Sequence, residues 1–173
     1  MNRTPDKLME EAIRILPGYT YWNAGEMANI HSFLARVTSD GGLNFDNIAL
    51  SFLGRALEEE PARASSFSTL DDHVPTAAVW ILYARRCIYT NRTLWEYDED
   101  ETRFYGDMGE DRKLYDGSRG FCAERWASWK MRFEFVVACE AVKELARKIA
   151  GEALAKMVEI EGDAEMVEGP NVA

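Results

Sequence analysis

Residues 75–91 read PTAAVWILYARRCIYTN and decide the fold class. Val79, Trp80, Ile81, Leu82, Tyr83, Ile88 and Tyr89 point in almost every direction when the stretch is wound at 3.6 residues per turn. A helix apolar on all sides is one surrounded by other helices. A buried strand gives a similar run, but seventeen residues exceed a strand's usual length and favour a helix. The segment therefore predicts a central helix opened by Pro75, and the remaining chain is read for what packs around it.

Toward the N-terminus, Thr4 is a natural N-cap, Pro5 suits the first helical position and Asp6 complements the dipole. Leu8, Met9, Ala12, Ile13 and Leu16 make one stripe, ended by Pro17-Gly18. A second helix begins near Asn23, with Met27, Ile30, Leu34 and Val37 as its apolar face, and stops at Asp40-Gly41-Gly42. A third is expected from about Asp46 to Glu60, facing inward through Ile48, Leu50, Leu53 and Leu57 and closed by Pro61. Residues 62–75, rich in Ser, Asp and Thr, read as a loop with at most one helical turn.

Past the central helix, residues 96–120 mix acidic, Gly and aromatic residues without period and predict a long acidic loop. A last helical region starts near Phe121 and ends near Glu161, with a break expected around residues 138–141. Trp126, Trp129, Phe133 and Val136 supply its first stripe; Val142, Leu145, Ile149, Ala153, Met157 and Ile160 supply the second. The reading is an all-α, single-domain bundle of about five or six helices over residues 1–161, with 162–173 as a disordered acidic tail.

Charge narrows the function classes. Of a net charge of -10, residues 96–116 account for nine acidic against three basic side chains, and residues 157–173 for five acidic and no basic ones. The packed part is close to neutral. Without a basic face, neither nucleic acid nor an anionic membrane is an expected partner. Three widely spaced cysteines, Cys87, Cys122 and Cys139, make no CxxC pair and read as reduced thiols. With Asp6, Glu10 and Glu11 interrupting the N-terminus, no signal peptide is expected, and the protein is placed in the cytoplasm or nucleus.

Three blocks carry a family resemblance: VPTAAVWILYARRCIY at 74–89, RGFCAERWASWKMRF at 119–133 and ELARKIAGEALAKMVEIE at 144–161. The middle block is the most specific, with Gly-Phe followed by Glu-Arg-Trp, a second Trp and Arg-Phe. The chain resembles a fungal family known as domain of unknown function 3632. That resemblance implies a helical, cytosolic protein of filamentous fungi and an association with specialised metabolism. It implies no catalytic residues, because the family has no assigned activity.

The residues themselves allow two readings. In one, Trp80, Tyr83, Trp126 and Trp129 line a small-molecule pocket with Arg125 as anion anchor, and His73 or Tyr89 supplies acid–base chemistry. Such a protein binds a metabolite or acts as a cofactor-independent isomerase, cyclase or lyase, which needs only shape and one or two proton-transfer groups. In the other, the aromatics at helical spacing are core, and an exposed patch with the acidic loop binds a protein partner. His31, next to Ile30, reads as a half-buried or surface residue. Arg85 and Arg86 on an apolar helix each need a carboxylate or solvent. No metal is expected: Asp98-Glu99-Asp100-Glu101 lacks the calcium-loop pattern, with Arg103 and Gly109 at the sixth and twelfth positions. No cofactor is expected either, as neither a phosphate loop nor a dinucleotide fingerprint occurs.

Overall fold

A computed structural model of the chain describes residues 23–59, 68–93, 114–118 and 120–168. Among these it is all-α, with five helices: α1 (Ala24–Ser39), α2 (Asp46–Leu57), α3 (Ser68–Thr90), α4 (Ala123–Ala138) and α5 (Glu144–Glu168). The helix expected over residues 5–16 and most of the acidic loop expected at 96–120 lie outside the described residues.

The ends of α1 and α2 follow local chemistry. Asn23 Oδ1 accepts from the Gly25 and Glu26 N–H groups at 2.9 and 3.0 Å, while the Glu26 carboxylate accepts from the Asn23 N–H, a complete capping box. Gly41, at φ 73°, takes the left-handed turn after α1 that a side chain would resist. Helix α2 has Phe45 at its N-cap, without a side-chain cap bond, and Asn44 before it accepts from the Asp46 N–H at 2.8 Å.

Three boundaries depart from the expectation. Helix α3 starts at Ser68, so residues 68–75 are helical and Pro75 lies inside the helix instead of opening it. Tertiary burial of Leu70 and Val74 extends the helix back through the proline. Helix α2 stops at Leu57, three residues short of Glu60. Helix α5 runs to Glu168, seven residues into the stretch read as tail, and seats Ile160 against the core as it goes. The break between α4 and α5 falls where it was expected.

Helix α3 is central, and side-chain pairs give the directions. His31 meets Trp80, Arg36 meets Tyr83 and Thr38 meets Cys87, so α1 and α3 run parallel. Asp71 meets Lys143 and Arg85 meets Glu159, so α5 also runs parallel to α3. Helix α2 is antiparallel to α3, with Asp46 beside Asn91, and α4 is antiparallel to α5, with Trp126 and Lys130 both reaching Glu161. Helices α1 and α5 flank α3 in one row; α2 packs on α3 and α4 on α5 in a second. One hydrophobic core cluster joins all five: Leu34, Leu53, Ile81, Phe133 and Met157, one from each helix, are buried together.

Within α3 the backbone leaves the helical region at Ala84, with φ -118° and ψ 15°. A break of that kind frees carbonyls from their i+4 partners. The Arg85 guanidinium answers it, donating through Nη1 to the Leu82 carbonyl at 3.1 Å and through Nη2 to Glu159 at 3.1 Å. This is how an arginine is accommodated on the central helix: it joins the freed backbone to a carboxylate of α5.

Candidate functional site

The polar cluster at the junction of α2 and α4 is built on Glu58. Helix α2 ends at Leu57, so Glu58 follows on the line Leu50–Gly54–Glu58 that faces inward. Glu58 is 2 % exposed. From α4, the Arg125 Nε and Nη2 donate to its two carboxylate oxygens at 2.6 and 2.7 Å, a bidentate fork. The Trp129 Nε1 donates to the same carboxylate at 2.6 Å, and the remaining Arg125 Nη1 donates to the Gly120 carbonyl at 3.0 Å. Backbone joins the cluster too: the Glu58 carbonyl accepts from the Leu114 N–H at 2.7 Å. Gly120, at φ 90°, makes the turn that presents its carbonyl.

Around this network the Tyr115 ring lies 5.2 Å from the Arg125 guanidinium, and its hydroxyl sits 3.2 Å from the Cys122 Sγ. Burial, helped by the hydrogen bond to Cys122, pushes the Tyr115 phenol above its usual range, so it stays protonated. Every strong donor of Arg125 and Trp129 is thus engaged within the chain. A buried charge held this way is a structural joint, and Coulomb attraction repays the desolvation only because the fork is complete.

A second junction lies at the far end of α5. Trp126 Nε1 donates to Glu161 Oε1 at 2.8 Å, and Lys130 closes on the other oxygen of the same carboxylate. Tyr89 packs edge-on against Trp126, with ring centroids 5.1 Å apart.

In the third, between α1 and α3, Trp80 Nε1 donates to the His31 Nδ1 at 3.0 Å. His31 is 1 % exposed and stacks 3.9 Å from Phe52, so it is a core residue and not the half-buried or surface one expected. Desolvation lowers its pKa to about 4, which keeps it neutral with Nδ1 free to accept. The spacing His31–Leu34–Ala35–Thr38 carries the signal; all four are buried. The buried stripe is turned by about one residue from the larger Ile30 and Val37, which are only partly buried against the core.

The predicted site residues are therefore divided among different places. Arg125 and Trp129 meet at Glu58, Trp126 and Tyr89 meet near Glu161, and Trp80 meets His31. Tyr83 is on the outer surface beneath the Arg36 guanidinium, 4.0 Å from its ring centre. His73 is part-buried; burial and then Arg55 lower its pKa, with Asp72 acting in opposition. Asp71, two residues before His73, accepts from the Lys143 N–H at the start of α5 at 2.7 Å.

Sequence reasoning passed over Glu58 and placed His31 outside the core. Glu58 opens the run Glu58-Glu59-Glu60 and reads as solvated surface. Its four-residue step from Gly54 and Leu50 was the available signal. Among the described residues, no group of three or more His, Cys, Asp or Glu side chains is arranged to hold a metal ion. Nor is any described helix long and apolar enough to cross a membrane.

A family model described as "Protein of unknown function (DUF3632)" matches residues 12–133. The match takes in most of the first 70 residues, which contributed none of the blocks quoted above, and stops short of α5. No curated protein and no solved structure matches the chain.

Proposed function

The chain belongs to the DUF3632 family of proteins of unknown function, and we propose that this member is a non-catalytic module that binds another protein. One observation carries the reading: the polar atoms that a pocket would offer to a ligand are already used. The Trp80, Trp126 and Trp129 N–H groups and the Arg125 fork each have a partner from a distant segment of the chain. A ligand competing for them would have to break a buried pair, at about 3–5 kcal/mol for the charged one. His73 is held toward its neutral form without an aligned carboxylate, which is poor equipment for proton transfer.

Exposed apolar side chains occur on several helices, Met131, Leu145 and Val158 among them. Of the described residues, the patch shared by α1 and α3 is the one that is both aromatic and flanked by an unpaired arginine. Phe33, 58 % exposed, and Tyr83, 37 % exposed, stand on neighbouring helices with Arg36 stacked on Tyr83. Tyr and Arg are the residue types that dominate binding energy at protein interfaces. The setting implied by the family resemblance, specialised metabolism in filamentous fungi, fits a partner enzyme as readily as a metabolite and favours neither.

The test is native mass spectrometry of the chain recovered, under gentle conditions, from an extract of its source organism. The expected species is a complex of fixed stoichiometry with a second polypeptide. A reproducible small-molecule adduct, lost in Arg125→Lys or Trp126→Phe, would overturn the reading in favour of a pocket.

A further inference from the structure

We propose that the outward face shared by α1 and α3 docks an acidic peptide segment of a partner protein, one that also carries an apolar anchor. The proposal rests on the binding-module reading and names its surface and partner chemistry. The face is assembled by two parallel helices: Phe33 and Arg36 lie one turn apart on α1, and Tyr83 and Arg86 lie on either side of the Ala84 break in α3. All four side chains are exposed, and the Arg36–Tyr83 stack ties the two pairs into one patch.

Charge selects the partner. Elsewhere in the bundle Arg85, Arg125, Lys130, Lys143 and Lys156 are each matched to a carboxylate, while Arg55, Arg92, Arg147 and Lys148 form no ion pair with a described carboxylate. Arg36 and Arg86 form no ion pair with any described carboxylate, although the chain carries a net charge of -10. Two guanidiniums beside exposed aromatic rings recognise carboxylates by paired hydrogen bonds and apolar side chains by contact. Stacking on Tyr83 also holds Arg36 extended, which reduces the entropy lost when it engages an anion. A basic or purely apolar segment would leave both guanidiniums uncompensated.

The experiment is selection of random peptides, about twelve residues long, on the full chain by phage display, followed by fluorescence anisotropy with the enriched peptides as synthetic probes. Enrichment of Asp and Glu next to Leu, Phe or Trp is expected. Affinity should drop at least about tenfold in the double variant Arg36→Ala/Arg86→Ala and weaken with added salt. Both arginines are exposed, so the double variant is expected to keep the wild-type circular dichroism and unfolding midpoint.

Enriched peptides without acidic residues would overturn the proposal. Binding undiminished in the double variant would reject this face while leaving the binding-module reading in place. No enrichment, combined with a small-molecule adduct in native mass spectrometry, would reject both. The chain's own acidic residues 96–111 are the competing occupant. A chain that takes acidic peptides only after those carboxylates are changed to Asn and Gln, and not as the wild type, would assign the face to them and overturn the partner assignment.

Discussion

Glu58 is the residue on which the most other groups depend. It accepts from Arg125 twice and from Trp129 once, all inside the protein. Glu58→Ala leaves a guanidinium buried without its counter-ion and an indole N–H without its acceptor. The expected loss is about 3–5 kcal/mol in urea unfolding. Removing both charges together, in Glu58→Leu/Arg125→Met, should cost clearly less than the sum of the single variants, since no orphaned charge then remains. Additive losses would mean that the fork contributes nothing as a pair. His31 yields a second prediction, in pH. Its folded pKa of about 4 lies below its ordinary 6.5, so the unfolded chain binds the proton more readily. The histidine therefore costs nothing above pH 6.5, and stability falls as pH drops from 6.5 toward 4. Between pH 7 and 5 the loss should be roughly 2 kcal/mol. His31→Gln should flatten that slope in unfolding titrations, and an unchanged slope would assign it to other groups.

At the scale of elements, the helices meet their ends by borrowing from one another. Helix α5 takes its N-terminal acceptor from α3, where the largely buried Asp71 side chain accepts from the Lys143 N–H and lies 3.5 Å from the Lys143 ammonium. Asp71→Ala is expected to cost about 1–2 kcal/mol in thermal or urea unfolding, the usual range for a lost cap. Its exposed neighbour makes a clean control, with Asp72→Ala within about 0.5 kcal/mol of the parent. Equal effects at the two positions would show that charge near the helix end matters and the hydrogen bond does not. Element type was legible for the body of each of the five helices, because periods of three and four are strong over ten or more residues, but not for residues 68–74 or 162–168, read as loop and tail and found helical. Boundaries were less so. Pro75 reads locally as a helix start, yet burial of Leu70 and Val74 on the preceding turns outweighs the backbone hydrogen bond that the proline forgoes. The break in α3 falls at Ala84, a residue with no local reason to leave a helix, and is held by the reach of Arg85 to Glu159.

For the whole molecule, the central helix is flanked by α1 and α5 in a row of three parallel helices, with α2 and α4 as a second layer. In this arrangement the last turns of α5 are structural. Met157 and Ile160 are buried, and Glu161 holds both Trp126 and Lys130 of α4. Truncation after Ala155 removes all of them and should lower stability by more than about 4 kcal/mol, with loss of a cooperative transition in circular dichroism. Truncation after Gly162 keeps these contacts and should change it by less than about 1 kcal/mol. A chain cut after Ala155 that still unfolds cooperatively at the parent midpoint would show α5 to be dispensable to the core.

Hydrophobic periodicity and punctuation by themselves determined the all-α class, the places of α1 to α5, and the central position of residues 75–90. They did so because burial of an apolar face at 3.6-residue spacing is a local property of sequence. The charge distribution and the family blocks were likewise readable without coordinates. The parallel courses of α1, α3 and α5 depended on tertiary structure, since periodicity says which face is buried and not against what. So did the separation of Trp80, Trp126 and Trp129 into three junctions, each with its own acceptor: His31, Glu161 and Glu58. A buried polar side chain is tolerated only where a partner from a distant segment meets it, and no residue carries that partner's identity in its neighbours along the chain.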